Sequence, residues 1–164
     1  MSMNWWKIKR PIEILLIEDN PGDVRLTQEV LKEAKVSNNL SVVQDGVEAL
    51  AFLHREGRHE DAPRPDIILL DLNLPRMDGR ELLAEIKADQ ALMHIPVLVL
   101  TTSEADADVL KAYNLHANCY IVKPLELDRF IEIMEAIELF WLNIAELPVA
   151  EVYLDGNSFP VQAP

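Results

Sequence analysis

DIILLDLNLPRMDGRELLAEI, residues 66–86, decides the fold. Asp66 to Leu70 is a short apolar run of strand length, and the polar stretch after it gives way near Gly79 to a helical segment with Leu82, Leu83 and Ile86 inward. A continuous apolar run is the pattern of a parallel strand covered on both faces. Asp71 stands at the downstream end of that run, and the same arrangement recurs along the chain.

Four further strands are predicted at Ile12 to Ile17, Leu40 to Val43, Pro96 to Leu100 and Cys119 to Val122. A helix follows the first, with Pro21 as its first residue, Asn20 as N-cap, and Val24, Leu26, Val30, Leu31 and Ala34 at helical spacing. A second runs from about Val47 to Arg55 and is stopped by Gly57. A fourth spans about Ala105 to Tyr113, and a fifth runs from Leu127 through Ile131, Met134, Ile137 and Phe140 to about Ile144. Five strands alternating with helices predict an α/β fold, a doubly wound five-stranded parallel sheet of order 2-1-3-4-5 with five helices. Ligands of such sheets bind at the carboxyl ends of the strands, where the connections after strands one and three leave on opposite faces. The residues at those ends are Glu18 and Asp19, Asp71, Thr101 and Lys123.

Taken singly, each of these residues has an ordinary reading. Asp19 ahead of Pro21 suits a cap or solvated turn, and Thr101 and Lys123 suit turns. Asp71 is harder to place so, because a carboxylate at the edge of an apolar strand bears a desolvation cost unless a cation or proton accompanies it. Three carboxylates on adjacent strand ends repel, and a divalent cation relieves that repulsion. Hard oxygen ligands in a small, partly open site suit Mg²⁺. With Lys123 and Thr101 the set forms a site in which a carboxylate attacks phosphorus while metal, ammonium and hydroxyl neutralise the equatorial oxygens.

Composition sets bounds. The chain has 164 residues, 49% of them hydrophobic, which is enough for one domain with a real core. A net charge of -13 argues against nonspecific binding to nucleic acid or anionic lipid. MSMNWWKIKR carries no secretory signal, the apolar runs are too short to span a bilayer, and the one cysteine, Cys119, forms no internal disulfide. A soluble, cytoplasmic protein is expected, with no nucleic acid and no membrane as partner. His54, His59, His94 and His116 share no zinc spacing. Asp19, Asn20 and Asp23 fail as a calcium loop, because Pro21 takes the third position and the glycine comes too early.

The motifs LLIEDN, ILLDLNLPRMDG, VLVLTTS and YIVKP resemble those of two-component response regulator receiver domains over about Ile12 to Ile144. The resemblance implies Asp71 as phosphoacceptor, Glu18 and Asp19 as the acidic pair, and Asn73 as a metal ligand through its backbone carbonyl, with Mg²⁺ as cofactor. It implies Thr101 as the hydroxyl switch, Lys123 as the phosphoryl-binding lysine, Tyr120 as the switch aromatic that turns inward, and a cis peptide at Lys123-Pro124. PIEILLIEDNPGDVRLTQE, HANCYIVKP and FWLNIAELP are most similar to single-domain regulators paired with cyanobacterial phytochrome kinases. The expected partner is therefore a sensor histidine kinase of phytochrome type. The expected organisation is an N-terminal segment at 1–10, a receiver domain at 11–147 and an extended tail at 148–164. Phe140, Trp141, Leu142 and Ile144, with Leu139, form an apolar girdle. It reads either as packing against the domain's own sheet or the Trp5-Trp6 pair, or as a homodimer seam, which the relatives also suggest. Two rival readings stand beside this one: a receiver-like module that works without phosphorylation, and a Mg²⁺-dependent phosphohydrolase of haloacid dehalogenase type. The latter needs a second acid two residues after the nucleophile, where this chain has Asn73.

Overall fold

The computed structural model describes residues 10–148. Trp5, Trp6 and the tail 151–164 lie outside the described residues, and so do the expectations attached to them. Five parallel strands, β1 (Ile12–Ile17), β2 (Asn38–Val43), β3 (Ile67–Leu70), β4 (Val97–Thr101) and β5 (Cys119–Val122), form one sheet of order β2-β1-β3-β4-β5. The helices are α1 (Pro21–Lys32), α2 (Gly46–Leu53), α3 (Gly79–Ala88), α4 (Asp106–Asn114) and α5 (Leu127–Ile137).

Side chains alternate across a strand, so the central strands feed two cores. Ile14 and Leu16 of β1, Ile67 and Leu69 of β3, and Leu98 and Leu100 of β4 pack with Leu31 of α1 and Phe130, Met134 and Ile137 of α5. Leu15, Ile17, Ile68, Leu70, Val97 and Val99 pack on the opposite face with Phe52 of α2, Leu82, Leu83 and Ile86 of α3, and Ala112 of α4. Every residue of β3 and β4 is buried, as the continuous apolar runs required. The helix starts are chemical: Asn20 Oδ1 accepts from the N–H of Gly22 at 2.9 Å and of Asp23 at 3.1 Å, and Asp78 caps α3 through the N–H of Arg80 at 2.8 Å.

Several boundaries differ from the sequence expectation, each for a tertiary or local reason. β2 begins at Asn38, because Asn38 and Asn39 continue the ladder opposite Ile12 and Glu13. α2 ends at Leu53, ahead of Gly57, because the chain turns left-handed at Arg55 (φ 56°). The fifth helix is α-helical only to Ile137; Glu138–Ile144 is π-helical and closes with the Ala145 N–H donated to the Phe140 carbonyl at 2.7 Å. Glu138 Oε1 also accepts from the Lys35 N–H at 3.0 Å, which ties this segment to the end of α1.

The wider turn brings Leu142 into the core beside Met134 and Ile137, so Leu142 is not available to a dimer seam. Trp141 is half-buried against the same core, while Leu139, Phe140 and Ile144 are exposed. Among the described residues no peptide bond is cis, so the cis bond implied at Lys123-Pro124 is absent; the trans isomer is the one X–Pro bonds intrinsically favour, by about 0.5–1 kcal/mol. Among the described residues no helix is long and apolar enough to cross a membrane.

Gly79 is fixed by contact. A Cβ there would stand 2.5 Å from the Asp71 carbonyl oxygen and 2.5 Å from Leu72 Cα, so the start of α3 lies directly against the end of β3. Gly79→Ala, which in an ordinary helix interior gains about 1 kcal/mol, is expected here to cost about 1–3 kcal/mol through overpacking, read as the shift in urea unfolding midpoint.

Candidate functional site

The carboxyl edge of the sheet gathers the polar strand-end residues. Glu18 and Asp19 follow β1, Asp71 follows β3, Thr101 is the last residue of β4, and Lys123 follows β5. Glu18, Asp71, Thr101 and Lys123 are buried, whereas Asp19 and Asn73 are exposed, which leaves the site open on one side. Carboxylate oxygens of Glu18, Asp19 and Asp71 all lie within 4.8 Å of one another. Among the described residues this is the one group of three or more His, Cys, Asp or Glu side chains placed to share a metal ion, and its all-oxygen donors suit a hard divalent cation.

Lys123 Nζ has three donors and three carboxylate acceptors: Glu18 Oε2, Asp23 Oδ2 at 2.9 Å and Asp71 Oδ2 at 3.0 Å. Asp71 Oδ1 accepts from the Asn73 N–H at 3.0 Å, and Asn73 Nδ2 donates to Thr101 Oγ1 at 3.4 Å. The loop after β3 thereby links the acid to the hydroxyl. Glu18 Oε1 accepts from the Asn20 N–H at 3.0 Å, just ahead of α1. Burial pushes the Glu18 carboxyl up to about 7, against the pull of the Lys123 ammonium. For Lys123 the balance runs the other way. Burial draws its pKa down, but hydrogen bonds to Glu18 and Asp23 and the charges of Glu18 and Asp71 outweigh it and hold the ammonium above the usual lysine range.

Tyr120 is half-buried against the core, and its hydroxyl donates to the Ser103 carbonyl at 2.9 Å. The ring is thus already turned inward, where the resemblance had it turn only on phosphorylation. Ser103 Oγ donates to Asp108 Oδ2 at 2.5 Å, and Arg80 holds the same carboxylate through Nε at 3.0 Å and Nη2 at 2.8 Å. The loop after β4 is so fastened to the first turn of α3. The sequence reading gave no role to Ser103, Asp108, Arg80 or Asp23. Asp23 and Asp108 carried a local signal, each as an acid in the first turn of its helix.

The set-aside residues stay apart from the site. His54 pairs with Asp89 at 3.0 Å, and His59 packs on the Phe52 ring with centroids 5.3 Å apart. Cys119 is half-buried in β5, where burial raises its thiol pKa.

Sheet order, two-sided helical cover and this acid, lysine and hydroxyl edge define a receiver domain. Residues 14–135 match the response regulator receiver domain family, and the chain belongs to it. It is 50% identical to the response regulator Rcp1 of Synechocystis sp. (strain ATCC 27184 / PCC 6803 / Kazusa) over 140 residues, which is 85% of this chain and 95% of Rcp1. The crystal structure of the Mn²⁺-bound form of Rcp1 superposes with a TM-score of 0.83, covering 85% of this chain and 100% of that one. The phosphorylated cyanobacterial phytochrome response regulator RcpA gives the same TM-score of 0.83 at 50% identity, again over 85% of this chain and 100% of its own.

A carboxyl whose pKa is higher in the folded state than in the unfolded one binds more protons when folded between pH 4.5 and about 7, so its contribution to stability falls as pH rises through that window. Without added metal, the protein should therefore lose up to about 3 kcal/mol relative to Glu18→Gln between pH 4.5 and 8. Urea unfolding of both proteins across this range checks it, and parallel pH profiles would refute it.

Proposed function

We propose that the chain accepts a phosphoryl group on Asp71 from the phosphohistidine of a sensor histidine kinase and signals through altered protein contacts. The observation that carries this reading is the Asp71 carboxylate, buried at the end of an apolar strand with the Lys123 ammonium 3.0 Å from its Oδ2. In the transfer, an Asp71 oxygen forms the new bond to phosphorus as the bond from phosphorus to the histidine nitrogen breaks. The nitrogen keeps the electron pair, and the ring, protonated on its other nitrogen before transfer, leaves as neutral imidazole.

Glu18, Asp19 and Asp71 carboxylates, with the Asn73 backbone carbonyl, would hold Mg²⁺, which when bound supplies charge neutralisation at the phosphoryl oxygens. Lys123 donates to a phosphoryl oxygen, and Thr101 turns its hydroxyl toward the group once it is in place. Tyr120 needs no large rotation from its present position, because the Ser103 carbonyl already holds its hydroxyl. Asn73 provides an amide where a phosphohydrolase needs a second acid, so we assign the protein at most slow self-dephosphorylation. Kinship with Rcp1 and RcpA supports a phytochrome-type kinase in the cytoplasm as partner. Exposed Leu139, Phe140 and Ile144, with the outer edge of Trp141, support a homodimer seam on the π-helical segment.

Incubation with Mg²⁺ and acetyl phosphate should add one phosphoryl mass to the parent and none to Asp71→Asn; no gain in the parent would sink the reading. In sedimentation velocity, phosphorylation should change the dimer fraction of the parent but not of Thr101→Ala carrying the same modification. Phe140→Asp should stay monomeric throughout, and a parent-like dimer in that variant would remove the seam.

A further inference from the structure

We infer that Asp23 is the positioning residue for Lys123, an anchor outside the metal-ligand set that holds the ammonium beside Asp71 whatever else binds there. This role rests on the reading of Asp71 as phosphoacceptor. Lys123 has three acceptors, and two of them, Glu18 and Asp71, also belong to the carboxylate cluster that fits a divalent cation. Asp23 is not in that cluster, yet its Oδ2 accepts from Lys123 Nζ at 2.9 Å. When Glu18 is drawn to a cation and Asp71 carries a phosphoryl group, Asp23 is the acceptor whose hold on the lysine is unchanged.

The backbone that carries the anchor is held in place. Asp23 lies in the first turn of α1, where its N–H is capped by Asn20 Oδ1 at 3.1 Å and its carbonyl accepts from the buried Thr27 hydroxyl at 2.8 Å. A lysine is a compact charge on a flexible four-carbon stem, so a fixed acceptor decides where its donors point. Small misplacement of a group that stabilises a transferring phosphoryl costs rate far more than it costs binding.

Two measurements test this. In the metal-free protein, the Lys123 ammonium should give a protected ¹H–¹⁵N signal that Asp23→Ala broadens or abolishes. At saturating Mg²⁺, Asp23→Ala should accept phosphoryl from acetyl phosphate about tenfold more slowly, while its Mg²⁺ affinity by calorimetry stays within about threefold of the parent. Asp23→Asn, which keeps an acceptor oxygen without the charge, should fall between and serves if the alanine variant does not fold. A parent-like rate, or a rate loss matched by an equal loss of Mg²⁺ affinity, would overturn the role. Failure of the parent itself to be phosphorylated would instead overturn the phosphoacceptor reading, leaving the ammonium signal to report whether Asp23 holds Lys123.

Discussion

One buried ammonium among three carboxylates governs the site. Lys123 reaches back from the end of β5, beside β4 at one margin of the sheet, to acids carried on β1, β3 and α1. Taking any of these charges out of water without its counterpart costs several kcal/mol. The sheet edge therefore holds together only as a set. Strand order explains why the set exists: β1 and β3 are neighbours at the switch point, which sets Glu18 beside Asp71, and Lys123 reaches both although it stands 105 residues along the chain from Glu18 and 52 from Asp71.

The framework around that set divides the labour between two cores. α1 and α5 cover one face, and α2, α3 and α4 cover the other, so the loops that carry Asp71 and Thr101 are each followed by a helix seated on the second face. Gly79 brings the first of these helices against the Asp71 backbone, and Arg80 then reaches Asp108 at the start of α4. The acid and the hydroxyl are thus coupled at two levels, through Asn73 at the site and through Arg80 one turn behind it.

Features set by local chemistry were legible in the sequence. The apolar runs of β1, β3 and β4, the Asn20–Pro21 start of α1 and the polar residues at the strand ends all follow from periodicity, capping and turn preferences. Features set by distant partners were not. The role of Asp23 was not legible because its partner Lys123 is 100 residues away. Asn38 and Asn39 join β2 only because β1 is there to pair with them. The apolar content of residues 138–144 is the same for an α-helix and a π-helix, so sequence could not say that Leu142 turns inward while Phe140 turns out.

That last segment acts as a phase shifter. Each residue of an α-helix advances the next side chain by about 100°, and a wider turn resets the angle at which everything downstream emerges. Rooted by Glu138 on the Lys35 N–H and by Leu142 in the core, the reset segment presents Leu139, Phe140 and Ile144 at a bearing fixed relative to the sheet. Whatever settles on those side chains inherits that bearing, so the relative orientation of two joined bodies is written into the helical pitch of seven residues.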